Sequence, residues 1–321
     1  MAKLLYDLLD EVQSIEDSIR RTSSPAWYRG LPKAEWSLMS ALHRHVIKMT
    51  STLREMPANY FDYLRGEYKT LYRIFKGKVW PLLSEAQRSE WGVIFAMQHY
   101  GVPTRLMDWT ESFTCALFFA QFKRQRGDDA AIWILNPELM NKLSIDQNGI
   151  VSFDEIVSEG DVVGNPWHPR YGDPGRDPGS IAIAPVISSD RMKAQQSVFT
   201  LAGDDFDPLE DQKAGAFVNR GALHKILLPA DNYDEVSEFL HVAGLGPFTF
   251  FPDFEGYRLE HENRVIKSLR DIEKYWPEKL KVVPNKHPGP QAASSVESGE
   301  SALRGSTRSA AQRRVARRTP T

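Results

Sequence analysis

Cysteine is almost absent from this chain: Cys115 is the single one in 321 residues. That excludes an internal disulfide and a zinc site built from several cysteines, and it fits a reducing cytoplasm. Long apolar runs are missing too. None approaches the roughly 20 residues that a membrane span needs. The opening stretch, MAKLLYDLLDEVQSIEDSIR, carries acidic residues along its length and no small-residue cleavage site, so no signal peptide is expected. The eight histidines show no His-Glu-x-x-His spacing, and no metal site is expected. Net charge is scarce as well, at −2. Hydrophobic residues at 41% and charged residues at 26% are ordinary for a globular protein and exclude a fibrous or wholly disordered chain.

The small net charge hides an uneven distribution. From Asn285 to Thr321 there are seven Lys/Arg and two Asp/Glu, which leaves −7 on the preceding residues. That last segment has no aromatic residue and three large aliphatics, Val296, Leu303 and Val315. It cannot bury enough apolar surface to offset the entropy of ordering it, so residues 285–321 read as a disordered basic tail. Arg313, Arg314, Arg317 and Arg318 can contact nucleic acid or an acidic partner, although a solvated tail is the plainer reading. The acidic body offers no broad surface for nucleic acid.

Before the tail, helical and extended patterns alternate irregularly. Leu5, Leu8, Leu9, Val12, Ile15 and Ile19 recur at helical spacing and predict a helix from Lys3 to about Arg20. Ala26 to Gly30 reads as a short strand. Phe61, Leu64, Tyr68, Leu71 and Phe75 mark one face of a second helix. Ser84 to Gln87 has capping-box spacing, with a helix following to His99. Gly101 to Thr110 reads as a loop leading to an almost uniformly apolar central helix from Ser112, with Thr110 or Ser112 as its N-cap. Ala130 to Leu135, Ile181 to Ile187, Ser197 to Leu201 and Leu223 to Leu228 read as strands, and Phe248 to Phe251 as a last one. Asp231 is the expected cap of a helix that Gly244 closes. Eight of the sixteen residues from Gly164 to Gly179 are Gly or Pro, which predicts a long loop; His168, Arg170 and Asp173 lie in it. The expectation is an α+β fold with a mixed or split antiparallel sheet and packed helices. Residues 1–25 form a leading helix, residues 26–284 one domain, and residues 285–321 the tail.

Two stretches carry chemistry. Trp27-Tyr28-Arg29-Gly30 sets an arginine beside a glycine at a strand end. A guanidinium there can hold a phosphate or carboxylate in a two-bonded fork, and the glycine lets a ligand approach the backbone. The alternative is a surface salt bridge at a turn. Gln98-His99-Tyr100-Gly101-Val102-Pro103-Thr104-Arg105-Leu106-Met107-Asp108-Trp109-Thr110 concentrates polar groups between two apolar helices. Groups so placed are partly buried and must be paired. Arg105 and Asp108 can pair with each other, and a network clamping two helices explains them as well as a ligand does. Tyr28, Tyr100, Trp27 and Trp109 can stack on a ring, or belong to the core.

These blocks, with RMKAQQSVFTLAG and LHKILLPADNYDEVSEFLHVAGLGPFTFFPDFEG, resemble the FRG domain family over about Trp27 to Gly256. The family's name motif is represented by Tyr28-Arg29-Gly30. The arrangement also looks like that of ADP-ribosyltransferases of the Arg–Ser–Glu type, which implies NAD as substrate. On that resemblance Tyr28, Arg29 and Gly30 form the strand whose arginine grips the NAD phosphate. Thr110 and Ser112 supply the Ser/Thr element. His99, Arg105, Asp108 and Trp109 are further binding candidates. The late catalytic carboxylate falls to Glu255, or its place is taken by Gln195 or Gln196. No Glu-x-Glu or Gln-x-Glu pair precedes the strand at Ser197.

Two functions follow. One is an NAD-using ADP-ribosyltransferase or NAD hydrolase acting as a bacterial or phage toxin or antiphage effector, with a protein or nucleic-acid acceptor. The other is a non-enzymatic module that binds a nucleotide or a protein and keeps only the pocket.

Overall fold

The computed structural model describes residues 2–19, 24–50, 60–152, 179–185, 187, 189–203 and 205–275. The expected loop from Gly164, apart from Gly179, and the basic tail lie outside the described residues. The chain divides at Ile266/Lys267, and every element that bears on the site belongs to the unit Met1–Ile266.

The fold is α+β. Its strands are β1 (Trp27–Leu31), β2 (Leu106–Thr110), β3 (Ala130–Leu135), β4 (Val151–Ser152), β5 (Ile181–Ala184), β6 (Ser197–Leu201) and β7 (Leu223–Leu228). They form one sheet in the order β4-β5-β6-β2-β1-β3-β7, in which only the β4–β5 pair is parallel. The helices are α1 (Ala2–Ile19), α2 (Ala41–Thr50), α3 (Tyr60–Val79), α4 (Glu90–His99), α5 (Phe113–Gln121), α6 (Pro137–Ile145), α7 (Asp190–Ala194), α8 (Gln212–Asn219), α9 (Tyr233–Val242), α10 (Pro247–Phe250) and α11 (Phe254–Tyr275).

The sheet is close to being two. β1 pairs with β3 over five residues, and β2 pairs with β6 over five. Between β1 and β2, Tyr28↔Thr110 is the whole register. A four-stranded block and a three-stranded block therefore meet at one residue pair and splay beyond it. The next antiparallel partners, Gly30 and Asp108, are not paired.

Burial explains the rest. β3 reads AAIWIL because both of its faces are covered. Ala130, Ile132 and Ile134 join a core with α1, α5 and α9, while Trp133 and Leu135 join one with Trp27, Met140 and Phe217. A third cluster packs α3 and α4 on β5 and β6 through Tyr68, Ile94, Ile183 and Phe199. In α5, Cys115, Ala116, Leu117, Phe118 and Ala120 are all buried. Burying Leu117 and Phe118 stabilises by roughly 1.5–3 kcal/mol each.

Local expectations shift at several points. The segment expected to be a loop up to Thr110 ends in β2. Its Asp108 and Thr110 alternate with Met107 and Trp109, which hid the strand behind polar residues. Phe248 to Phe251 is not a strand: Pro247 begins α10, where a missing N–H costs nothing. Ser84 starts a short 3₁₀ turn, and Ser89 caps α4 by accepting from Gly92 N–H. Asp231 lies within a 3₁₀ turn, Ala230–Asn232, and α9 follows.

Candidate functional site

Where β1 and β2 part, a cleft of about 380 Å³ opens. By strand alternation and register, Tyr28 and Gly30 of β1, Asp108 and Thr110 of β2, and Ser197 and Phe199 of β6 share its face. α5 contributes Cys115, Ala116 and Phe119 to the lining. α4 contributes Phe95, Gln98 and His99, and α7 with its cap contributes Arg191, Met192 and Gln195. β2 is the fourth strand of seven, and its central residue should be the most deeply buried. Asp108 is instead exposed between buried neighbours, because the gap beside it is open.

Arg29 occupies that gap. Its guanidinium donates to the backbone carbonyl of Asp108, so a side chain stands where the sheet ladder would continue. Its Nε–H has no hydrogen-bond partner among the described residues. Burial pulls the Arg29 pKa down; Asp108 opposes this and Arg44 adds to it. Asp108 Oδ2 accepts from Gln98 Nε2 at 2.8 Å, and Thr104 donates to the other end of the same amide.

Thr110 and Gln195 meet directly. The Thr110 hydroxyl donates to the Gln195 carbonyl at 2.6 Å and accepts from Ser112 N–H at 3.0 Å. Gln195 Nε2 donates to Phe250 O at 2.9 Å, which ties the end of α7 to α10. Two positions 85 residues apart thus form one wall. His99 lines the cleft with its ring edge-on to Tyr100. Burial first, then the charge of Arg191, lower its pKa against the pull of Asp253. Cys115 is buried and its thiol pKa is pushed up to about 12, which makes it inert as a nucleophile.

Other expected residues take different places. Gly30 lines the cleft, but its lack of a side chain serves α5: a Cβ there would stand 1.8 Å from Ala116 O and 2.5 Å from Ala120 N. Arg105 is 1% exposed, donates to Ala202 O at 3.2 Å and does not line the cleft. The Arg105–Asp108 pair is not formed; Gln98 takes the carboxylate instead. Ser112 is the N-cap of α5, accepting from Cys115 N–H at 3.3 Å, and lies outside the lining. Tyr28 and Trp109 touch the cleft with rings that are nearly wholly buried. The Tyr28 ring is edge-on to Phe113 and its hydroxyl donates to Glu16, while Trp109 Nε1 donates to Thr200 Oγ1. Trp27 is fully buried, and Tyr100, though exposed, is not in the lining. Glu255 sits exposed at the start of α11, outside the lining, where Arg258 holds its pKa down. Gln196 is exposed too; its carbonyl accepts from Glu111 N–H.

Of the lining residues that were not sequence candidates, Arg191, Lys123 and Trp36 bear most on chemistry. The guanidinium carbon of Arg191 lies over the Phe251 ring, 4.4 Å from its centroid. Lys123 stands at the end of α5 in left-handed backbone, φ 64°. Trp36, five residues after β1, is 48% exposed, the most exposed aromatic residue of the lining. An exposed tryptophan beside a candidate anion-binding strand was the available signal; nothing local marks Arg191.

The lining therefore holds three full cations, Arg29, Lys123 and Arg191, against one carboxylate, Asp108. On an acidic body, that excess of positive charge can attract an anion, and Trp36 can stack on a ring. Among the described residues no group of three or more His, Cys, Asp or Glu is placed to hold a metal ion, and no helix is long and apolar enough to cross a membrane.

No curated protein and no solved structure matches the chain. The family comparison covers the segment that contributes β1, β2, α4 and α5 to the cleft, and on it the chain carries an FRG domain at residues 24–141.

Proposed function

We propose that the cleft binds NAD or a related nucleotide and that the protein breaks the bond between nicotinamide and ribose, as an ADP-ribosyltransferase or NAD hydrolase. The observation that carries this reading is convergence. Arg29, Thr110 and Gln195, from three distant segments, line one cationic cleft, and they are residues to which the Arg–Ser–Glu resemblance assigns the arginine, the Ser/Thr element and the place of the late carboxylate. Arg29 takes a phosphate on its free N–H groups and fixes the nucleotide. Thr110 and Gln195 face the ribose. As the glycosidic bond breaks, its electron pair leaves with nicotinamide and positive charge grows on the sugar. Asp108 is the carboxylate of the lining that can stabilise that charge. Water or an acceptor nucleophile then takes the ribose carbon. Consumption of NAD suits a toxin or an antiviral effector.

One observation favours the binding module. Glu255 lies outside the lining, and Gln195, an amide, brings no charge to the ribose. Nicotinamide release from NAD, measured on the wild type and on Arg29→Ala, separates the two. The enzyme reading expects release that falls at least about 100-fold in the variant. NAD bound without release, with or without cell lysate as acceptor, leaves the module.

A further inference from the structure

We infer that the outer face of α3 and the turn after it form a docking surface for an anionic lipid bilayer. None of the residues involved lines the cleft, so the surface stands or falls independently of the nucleotide reading.

The inward side of α3 is apolar: Tyr68 and Tyr72 are buried in the cluster that holds Ile94 and Phe199. Steps of four and three bring Lys69, Arg73 and Lys76 onto one other side of the helix. Glu67 is the single acidic residue from Gly66 to Leu82, and helical geometry sets it on the far side from them. Trp80–Leu82 then forms a 3₁₀ turn with Pro81 inside it. Leu83 is buried and its N–H donates to Trp80 O, which pins the turn. Leu82 is left standing out at 82% exposure, the highest of any large aliphatic among the described residues. Beside it, the Lys76 ammonium lies 5.2 Å from the centroid of the Trp80 ring, and the Arg88 guanidinium carbon 5.6 Å from it. Among the described residues none of Lys69, Arg73, Lys76 and Arg88 makes an ion pair. Glu85 and Glu90 flank Arg88 in sequence, but neither is paired with it.

Residues before Asn285 carry a net charge of −7, so four cations without an acidic partner on one surface are a local reversal of sign. Charge complementarity therefore asks for an anionic partner. Leu82 selects which one. The order along the chain is cations, then an indole, then an aliphatic tip. A lipid surface offers matching layers: anionic headgroups, the interface where tryptophan settles, and the acyl boundary. A nucleic-acid backbone would take the cations and leave Leu82 in water. An acidic protein would need an apolar pocket of its own for Leu82, whereas a bilayer provides that phase without a matched shape. The helix would lie on such a surface, not cross it.

Co-sedimentation of the full chain with sucrose-loaded vesicles tests the surface. Neutral vesicles of phosphatidylcholine are compared with vesicles that also hold phosphatidylglycerol. Binding to the second kind is expected, and it should fall as salt is raised. The double variant Arg73→Glu/Lys76→Glu and the single variant Leu82→Asp should each weaken it at least about tenfold. Leu82→Phe should keep it. No binding by the wild type, or equal binding to both vesicles, overturns the surface. So does a double variant that binds like the wild type, because the arginine-rich segment from Asn285 then carries the attraction. A loss in the double variant with none in Leu82→Asp also overturns it, and assigns the cations to a nucleic acid or an acidic protein. If the double variant does not fold, as judged by its thermal midpoint, Leu82→Asp and the salt dependence of the wild type decide.

Discussion

A methyl group on Gly30 would have nowhere to go. It would meet the carbonyl oxygen of Ala116 at 1.8 Å and the amide of Ala120 at 2.5 Å, and both are backbone atoms of α5. No side-chain rotation relieves that contact; the helix must lift off β1. Gly30→Ala is therefore expected to cost at least about 3 kcal/mol, visible as a lower midpoint in urea unfolding. The tripeptide Tyr28-Arg29-Gly30 thus divides its labour: Arg29 faces the gap, while Gly30 lets a helix seal it. The sequence marked both residues but not the division, because what crowds a glycine lies 86 residues further along. Arg105 shows the converse. In sequence it sits among candidate binding residues, yet it is 1% exposed and serves Ala202. Residue type and neighbourhood made the two arginines alike, and only the exit of the chain into β2 separated them.

At the scale of elements, α5 lies between the sheet and α9; Gln121 at its end donates to Tyr233 O and Ser237 Oγ, and Arg124 just beyond it makes a wider set of bonds. Arg124 is 4% exposed. Its Nε donates to Asp128 O at 3.0 Å, and its Nη groups donate to Leu228 O at 2.9 Å, Pro229 O at 2.8 Å and Gln121 Oε1 at 3.2 Å. It thereby joins α5 to the end of β7 and the start of the turn before α9. Arg124→Ala leaves several of these carbonyls without donors, and a loss of about 3 kcal/mol in chemical denaturation is expected. The variant Arg124→Lys should recover only part of it, since a single ammonium cannot span the same fork. α5 itself was legible because its apolar run is nearly continuous. β2 was not, because one of its faces looks into an open cleft and so carries Asp108 and Thr110. The polar residues that advertise the site disguise the strand that presents them. Arg191 stayed hidden for a related reason: α7 is five residues long, too short for periodicity to reveal which side faces the cleft.

The unit Met1–Ile266 holds two sheet blocks joined at Tyr28↔Thr110 and braced by helices, and its stability should respond to pH through a histidine that does not line the cleft. His43 of α2 is 2% exposed, its Nε2 has no hydrogen-bond partner among the described residues, and its ring lies against Phe206 at 4.2 Å. Burial, reinforced by the charge of Arg105, lowers its pKa to about 3. Once unfolded, the same ring takes a proton near pH 6.5. Between those values the unfolded chain binds a proton that the folded chain refuses, so acid favours unfolding. The contribution is complete above about pH 6.5 and fades as pH falls toward 3. Lowering the pH from 7 to 5 should then cost roughly 2 kcal/mol from this residue alone, before most carboxylates begin to titrate. His99, whose pKa is also lowered, pushes the same way and prevents a flat background. His43→Phe keeps the ring's volume beside Phe206 and removes the proton. Urea unfolding of both proteins at pH 7 and pH 5 should show the wild type losing about 2 kcal/mol more than the variant. Equal losses would mean that the His43 ring is reached by protons while the fold is intact.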